Sequence, residues 1–452
     1  MEIVYDVSSA VGDVNQTDNM VPIEMTNKTG TNLADLNEYC LLDIFSCDYL
    51  TPADLSSLAD TCKRFKQIAE RVFPKQFGII SEKYLIGRET SDSKSKYFRQ
   101  KSIESILKNF GFRLSTFKLD ETNEDVVSLI AKYCSKVHLT RLEIHGMKSI
   151  EGVRLQLQSI FNRLLKLSVN NCDFRGTSPD ITCDALIELR ITESTGCGPI
   201  LTKTFPNLER FIYRYDSMWS KISDDNTSII VAFIENHRHL KTLQLIGSSI
   251  YCNSELVDAI GNSGQELEVL TLQSLMRPKI SFDVPNLLSL PKLWRLDLDI
   301  NFENYNQIIA LLQASPVLRE VKLYFEVEIP VQVFDSLAQQ QHLRELILYY
   351  YSFDRIDWSM LTQLRKLVLF TLVSKFGPVD LLKIVRQLTN LEELRVDDYK
   401  GSDAFLLSER DFDRIVRIVE RRSNVLTLKC RHEFKLSENC EKNRKVKLLK
   451  IN

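Results

Sequence analysis

Apolar side chains recur along this chain in one spacing: an apolar residue, a gap of two, a second, a gap of one, and a third. The clearest copies are Leu139-Thr-Arg-Leu142-Glu-Ile144, Leu164-Leu-Lys-Leu167-Ser-Val169 and Leu186-Ile-Glu-Leu189-Arg-Ile191. Others start at Leu240, Leu267, Leu293, Leu318, Leu343, Leu364 and Leu391, and weaker ones at Leu114, Leu208 and Ser423, thirteen in all. Successive starts lie 25, 25, 22, 22, 32, 27, 26, 25, 25, 21, 27 and 32 residues apart. The last two apolar residues of each copy stand two apart, so both point to one face of a strand while the residue between them faces the other way. Before most copies lies a run with helical spacing, such as Val126, Val127, Leu129, Ile130 and Tyr133, or Leu381, Leu382, Ile384, Val385 and Leu388. The pattern predicts short strands alternating with helices.

A unit of one strand and one helix is too small to bury its own apolar face, so the units must stack and share a core. A doubly wound sheet would not repeat one phrase so often at such close steps. Most steps fall within the roughly 20–29 residues of a leucine-rich repeat, and the longer ones imply loop insertions. Strands stack about 4.8 Å apart while helices need about 8–10 Å, so the stack should curve with its strands inside. The fold class expected is α/β, an irregular leucine-rich-repeat horseshoe of the ribonuclease-inhibitor type. Such repeats usually carry Asn or Cys three residues after the last leucine, to bond the turn backbone. Cys172 and Asn301 fit that place, and Ser194, Asp216 and Ser248 are candidate substitutes. Met147, Leu275, Tyr351 and Leu372 are not, so irregular turns are expected.

A segment of another kind precedes the repeats. Leu36-Asn-Glu-Tyr-Cys-Leu-Leu-Asp-Ile-Phe45 clusters Leu41, Leu42, Ile44 and Phe45. Thr51-Pro-Ala-Asp54 announces a second helix, with Thr51 as cap, Pro52 at the first helical position and Asp54 closing the cap. Leu55, Leu58, Cys62, Phe65, Ile68 and Val72 then recur at steps of three or four, as one apolar face. Some 40 residues this apolar rarely fold alone, so a partner or the neighbouring stack should cover part of them. The segment resembles an F-box, whose usual form is Leu-Pro, Ile-Phe-x-x-Leu, Asp-Leu and Cys-x-x-Trp. Those places are held here by Leu36-Asn37, Ile44-Phe45 with Leu50, Asp54-Leu55 and Cys62-Lys-Arg-Phe65. Asn37 replaces the proline, one extra residue lies before Leu50, and Phe65 replaces the tryptophan. The resemblance implies binding to a Skp-type adaptor, and through it to a cullin, with Leu36, Leu41, Ile44, Phe45, Leu50, Leu55 and Phe65 at the contact. F-box, short connector and leucine-rich repeats in that order is itself a known family arrangement. The competing reading is an N-terminal helical cap with no other role.

The chain then divides into a polar, acidic segment at 1–31 expected to lack fixed structure, the helical module at 32–74, a connector at 75–110, the solenoid at 111–430 and a basic tail at 431–452. The connector holds a polar turn at Ser91-Asp-Ser-Lys-Ser-Lys96 and then helical material at Ile103, Ile106 and Leu107. Over 452 residues, 44% are apolar and 26% charged, and a formal charge of −2 exerts no general pull toward nucleic acid or membrane. The ten cysteines form no Cys-x-x-Cys pair and suit a reducing compartment, cytoplasm or nucleus. No signal peptide, membrane span or phosphate-binding loop is legible, and no catalytic or cofactor motif. His237-x-His239 reads as a pair of solvated loop residues rather than a metal site, and Lys442-Asn-Arg-Lys-Val-Lys447 as a basic tail.

Function is therefore sought on the strand face that the helices leave free. The outward strand positions give a basic stripe, Lys166, Arg190, Arg210 and Arg214, opposed chiefly by Glu188. Asp297 and Asp299 stand together and solvent-facing in the middle. In the later repeats Tyr324, Ile347, Tyr349, Val368 and Phe370 form an exposed apolar cluster on consecutive units, the candidate site for a target protein. Two functions fit. One is a non-catalytic substrate receptor of an SCF-type ubiquitin ligase, marking its target for proteasomal degradation. The other is a leucine-rich-repeat scaffold without a ligase role.

Overall fold

A computed structural model describes residues 33–77, 79–81, 93–120, 124–134, 139–147, 151–175, 182–215, 225–247, 253–273, 289–299, 305–324, 330–350, 356–371, 378–398, 408–430 and 446–450. The segment 1–31 and most of the basic stretch 431–452 lie outside these residues. So do Asp216, Ser248, Leu275, Asn301, Tyr351 and Leu372 among the turn candidates.

The strands form a single fifteen-stranded parallel sheet in strict sequence order. They are β1 (Ile79–Ser81), β2 (Thr116–Asp120), β3 (Arg141–His145), β4 (Lys166–Asn170), β5 (Glu188–Thr192), β6 (Arg210–Arg214), β7 (Thr242–Ile246) and β8 (Val269–Gln273). Then follow β9 (Arg295–Asp299), β10 (Glu320–Tyr324), β11 (Glu345–Tyr350), β12 (Lys366–Thr371), β13 (Glu393–Asp398), β14 (Leu426–Cys430) and β15 (Val446–Lys450). Helices such as Glu124–Cys134, Asp225–Asn236 and Pro378–Gln387 intervene on one side only. This is a leucine-rich-repeat solenoid, and each strand from β2 to β14 falls on a copy of the repeated phrase. β1 and β15 extend the sheet beyond the repeats at either end. They come from stretches read as connector and tail, and neither carries the phrase. The stretch Ser91–Lys96, read as a turn, is already helical from Ser93.

The repeated leucines are buried as their period requires. Leu296 and Leu298 are fully covered, as are Leu346 and Leu348. Backbone geometry locks one repeat to the next. The Thr140 carbonyl accepts from the amides of both Leu165 and Lys166, at 2.8 and 3.0 Å. Leu165, Ile187, Glu209, Lys241 and Glu268 repeat the arrangement toward the following strand, as do Trp294, Arg319, Arg344 and Arg365. At the other end of several strands a second ladder runs through residues in the left-handed region, Gly146, Asn171, Glu193 and Gly247, whose amides each donate to the next strand's last carbonyl. Gly247 has no alternative, because a Cβ there would lie 1.9 Å from the Tyr215 carbonyl oxygen. The expected turn chemistry is present at Cys172, whose amide donates to Ser194 Oγ at 3.1 Å, and at Ser194, whose hydroxyl donates to the Thr192 carbonyl at 2.9 Å. Met147 is instead buried apolar packing.

The N-terminal module comprises α1 (Glu38–Phe45), α2 (Pro52–Thr61) and α3 (Lys63–Phe77). The apolar face from Leu55 to Val72 is thus not one helix. The chain breaks at Cys62, whose backbone is extended, and turns α3 back across α2. Thr51 and Asp54 make the reciprocal cap at the start of α2. Asn37, the residue in the usual proline's place, caps α1 by accepting from the Cys40 amide at 2.8 Å. The module is continuous with the solenoid. Phe73 stacks on Phe110 of α4 (Ser93–Phe110) with ring centroids 4.1 Å apart. Beside that stack, buried Asn109 donates to Ser56 Oγ at 3.1 Å and to an Asp60 carboxylate oxygen at 2.9 Å, and Ser105 donates to the other Asp60 oxygen. One hydrophobic cluster runs from Leu41 to Val446.

His237 is buried, contrary to its reading as a solvated loop residue. Its Nε2 accepts from the Phe205 amide at 2.9 Å and its Nδ1 donates to the Phe233 carbonyl at 2.6 Å, so the neutral ring bridges helix end and loop. Burial holds its pKa below the ordinary histidine value, against a smaller opposing effect of the Phe233 bond. His239 is exposed. With both His237 nitrogens engaged, the pair offers no metal site.

Two tests follow from this packing. Leu189→Ala should cost about 2–5 kcal/mol, whereas Arg190→Ala, on the opposite face with its side chain 49% exposed, should cost no more than about 1 kcal/mol. Equal losses in denaturant unfolding would contradict the strand register. The depressed His237 pKa makes the unfolded chain the better proton acceptor. Its contribution is complete above the unfolded value near about 6.5 and declines as pH falls from there toward the folded value. In unfolding series from neutral pH to pH about 5, His237→Asn should show a shallower acid decline than the wild type.

Candidate functional site

Two surfaces hold residues that sequence reasoning singled out. In the helical module, Leu41, Phe45, Leu55 and Phe65 are buried in the module's own core. Phe45 and Phe65 pack edge to face with centroids 5.4 Å apart, so the phenylalanine in the tryptophan's place still closes the core. Helix period explains the correction: the most regular apolar positions are those that α1, α2 and α3 need for one another. Leu36 and Leu50 are half-buried, and Ile44 is 40% exposed. Tyr39 on α1 and Tyr49 in the turn after it, 81% and 92% exposed, are also left in water and were missed because they fall outside the apolar period. A large aromatic left in water on a capped helix or its following turn was the available signal. Arg64 ties the turn Leu33–Asp35 to α3 through the carbonyls of Ala34 and Leu36, and Arg71 pairs with Glu38 of α1. Helix α1 is therefore mounted on a braced frame.

On the helix-free face of the sheet, parallel register puts Tyr324, Tyr349 and Phe370 in one row on β10, β11 and β12. The rings stack face to face, with centroids 4.0 Å apart for Tyr324 and Tyr349 and 4.1 Å for Tyr349 and Phe370, the second pair within 2° of parallel. That is closer than the roughly 4.8 Å between strands, as expected where curvature makes side-chain tips converge. All three are half-buried. Ile347, in the adjacent row, is half-buried too, but Val368 is buried, at 4% exposure, and offers no surface to a partner. Its short side chain lies in register between Ile347 and Arg395, which overtop it. Lys322 lies over the Tyr349 ring at 5.3 Å and Arg395 over Phe370 at 5.6 Å.

Each of these cations is neutralised by its own carboxylate. Lys322 pairs with Asp297 at 3.4 Å, and Arg395 with Asp397 at 2.6 Å. Asp297 faces the side that the register predicts, yet it is buried rather than solvent-facing, because Gln273 and Lys322 close over it. The Asp299 side chain lies outside the described residues. Burial first, and then Tyr324 and Asp297 nearby, push the Tyr349 phenol up to about 12, so the hydroxyl stays protonated. Burial also raises the Glu320 pKa, partly offset by Arg295.

The basic stripe is exposed at Arg190, Arg210 and Arg214, with Glu188 among the cations. No group of three or more His, Cys, Asp or Glu side chains among the described residues is placed to hold a metal. Burial pushes the thiols of Cys134, Cys183 and Cys197 up to about 12, which leaves them poor nucleophiles. No helix of the described residues is long and apolar enough to cross a membrane.

Comparison with known proteins bears on the helical module. The F-box-like family model matches residues 38–73, so the chain carries an F-box-like domain followed by a leucine-rich-repeat solenoid. Comparison with curated proteins finds no match. Among solved structures, the chain is similar to internalin C2 of Listeria monocytogenes, with 18% identity, 47% of this chain and 83% of that one covered, and a TM-score of 0.33. It is also similar to a chain of the yeast Rad7 and Elc1 complex, with 12% identity, 91% and 92% covered, and a TM-score of 0.42.

Tyr349, stacked on both sides, should be the energetic centre of the row. Stacked aromatic pairs contribute about 0.5–1.5 kcal/mol each beyond area burial. Tyr349→Ser should therefore cost more than Tyr324→Ser or Phe370→Ser in thermal unfolding, and less than Leu348→Ala. A double-mutant cycle on Tyr324 and Tyr349 that returns no coupling would show that the rings do not stack in solution.

Proposed function

We propose that this protein is a non-catalytic substrate receptor of an SCF-type ubiquitin ligase. Its F-box-like module binds a Skp-type adaptor and through it a cullin, and its solenoid holds a target protein for ubiquitin transfer and degradation. The observation that carries this reading is the F-box-like match at 38–73, on a module that keeps Tyr39, Ile44 and Tyr49 in water. Exposed aromatic and aliphatic side chains on a rigid frame are efficient anchors, offering large apolar area at small entropic cost. The target site is the helix-free face at Tyr324, Ile347, Tyr349 and Phe370. The ligase's other subunits supply the chemistry, and the receptor's contribution is proximity.

The packing of α2 and α3 on α4 also favours the plainer reading, a repeat scaffold whose helical module only closes the stack. The two readings differ in adaptor binding. Deleting residues 33–72 does not separate them cleanly, because it would uncover Phe110 and its neighbours. Point changes at exposed positions do. Tyr39→Ala, Ile44→Asp and Tyr49→Ala should leave the melting temperature in place, and each should weaken adaptor binding by roughly 2 kcal/mol or more. In the complex, Cys40 and Cys47, exposed on and beside α1, should become protected from alkylation. An adaptor that does not co-purify with the wild-type chain, or that leaves both thiols reactive, would favour the scaffold.

A further inference from the structure

The helix-free face carries two kinds of electrostatics, and the difference points to a particular kind of ligand. Among the described residues, five strand cations around the aromatic row each have their own carboxylate: Arg295 with Glu320, Lys322 with Asp297, Lys366 with Glu345, Arg395 with Asp397 and Lys429 with Glu393. That end is locally neutral and apolar. On β4 to β6 the arithmetic is different. One carboxylate, Glu188, faces three cations, Lys166 at 3.0 Å, Arg190 at 3.7 Å and Arg210 at 3.9 Å. Glu188 is mostly covered while the Arg190 and Arg210 side chains are 49% and 56% exposed, so the excess positive charge is presented outward. The guanidinium groups sit at ordinary ion-pair reach from an acid that cannot satisfy all of them.

We propose that the solenoid takes an extended, carboxylate-rich peptide segment that carries an apolar anchor at a set distance. The acidic stretch lies on Arg190, Arg210 and Lys166, and the anchor lies on the Tyr324, Tyr349 and Phe370 row. This rests on the receptor reading and adds the chemistry of the target. From β5 to β11 there are six strand steps. At about 4.8 Å per step the two subsites stand about 29 Å apart along the sheet, and somewhat less between converging side-chain tips. An extended chain rises about 3.3 Å per residue, so the centres of the acidic stretch and of the anchor should lie about seven to nine residues apart. Cationic character at one subsite and neutral apolar character at the other also fix the direction in which the segment lies.

The test uses the full chain and fluorescent peptides of four glutamates, a Gly/Ser spacer and a Leu-Trp-Leu anchor, made in both orders. Spacers of about 2, 5, 8 and 12 residues bracket the expected span. Binding should peak near the five-residue spacer in one order, which sets the centres of the two ends about 29 Å apart, and weaken as salt rises. Arg190→Glu with Arg210→Glu, and separately Tyr349→Ser, should each weaken it at least about tenfold. The arginine reversal should accept the matching tetra-lysine peptide. Arg190→Gln with Arg210→Gln provides the same loss without added repulsion should the reversal unfold the protein. Affinity independent of spacer length, or carried by the acidic or the apolar half alone, would overturn the proposal. So would binding confined to a phosphoserine version of the peptide. Adaptor capture is measured on the same preparations. Adaptor bound with no spacer optimum sinks this inference and leaves the receptor reading standing, while a clear optimum with no adaptor bound sinks the receptor reading alone.

Discussion

The shared-carbonyl ladder is the constraint on which the rest depends. A single backbone oxygen at each strand entry accepts from two consecutive amides of the next repeat, from Thr140 through Arg365. With both amides committed, a strand cannot slip by one residue without breaking the pair. Register is therefore held in each of these repeats, whatever the loop lengths between. Loops as different as those giving steps of 21 and 32 residues leave the sheet undisturbed. Because the side-chain period is two, a fixed register also fixes which residues form rows on the outer face. The stacked rings of Tyr324, Tyr349 and Phe370 are a direct consequence: three aromatic residues at equivalent places can stack only if their strands are aligned to within a fraction of a residue.

The same alignment governs charge. Cross-strand neighbours in a parallel sheet meet at one fixed spacing, so opposite charges in neighbouring repeats pair readily, as Lys366 and Glu345 do. Where three cations meet one acid, as around Glu188, the solenoid cannot move a repeat to relieve the imbalance. The cost is tolerated because the guanidinium heads remain in water, where screening keeps it small. The buried acids Asp297 and Asp397 are the opposite case, each held by a partner close at hand.

The helical module obeys a different rule. It has no repeated neighbour above it, so it must cover the first turn of the solenoid while keeping a face of its own. Phe73 on Phe110 and the Ser56, Asp60 and Asn109 network do the first. Such a satisfied polar cluster at a buried junction fixes orientation more than it adds stability. Whatever binds α1 is thereby held in a defined relation to the sheet.

Much was legible in the chain itself. The period of Leu293, Leu296 and Leu298 determined strand, burial and stacking together, because a period-two pattern admits one buried face. The Thr51-Pro-Ala-Asp54 cap was equally local, since its bonds span three residues. The aromatic row was also readable, because register follows from aligned repeats. Other features required the tertiary structure. Leu41, Phe45, Leu55 and Phe65 looked like a contact surface, but helix spacing reports only that residues share a face, and packing decides whether that face meets a partner or another helix. Val368 and Asp297 alternate correctly and are nevertheless covered, by neighbours that are remote in sequence. β1 and β15 carry no repeat phrase, and an existing sheet edge supplies their hydrogen bonds. Local periodicity determines which way a side chain points, and only the assembled neighbours decide what lies above it.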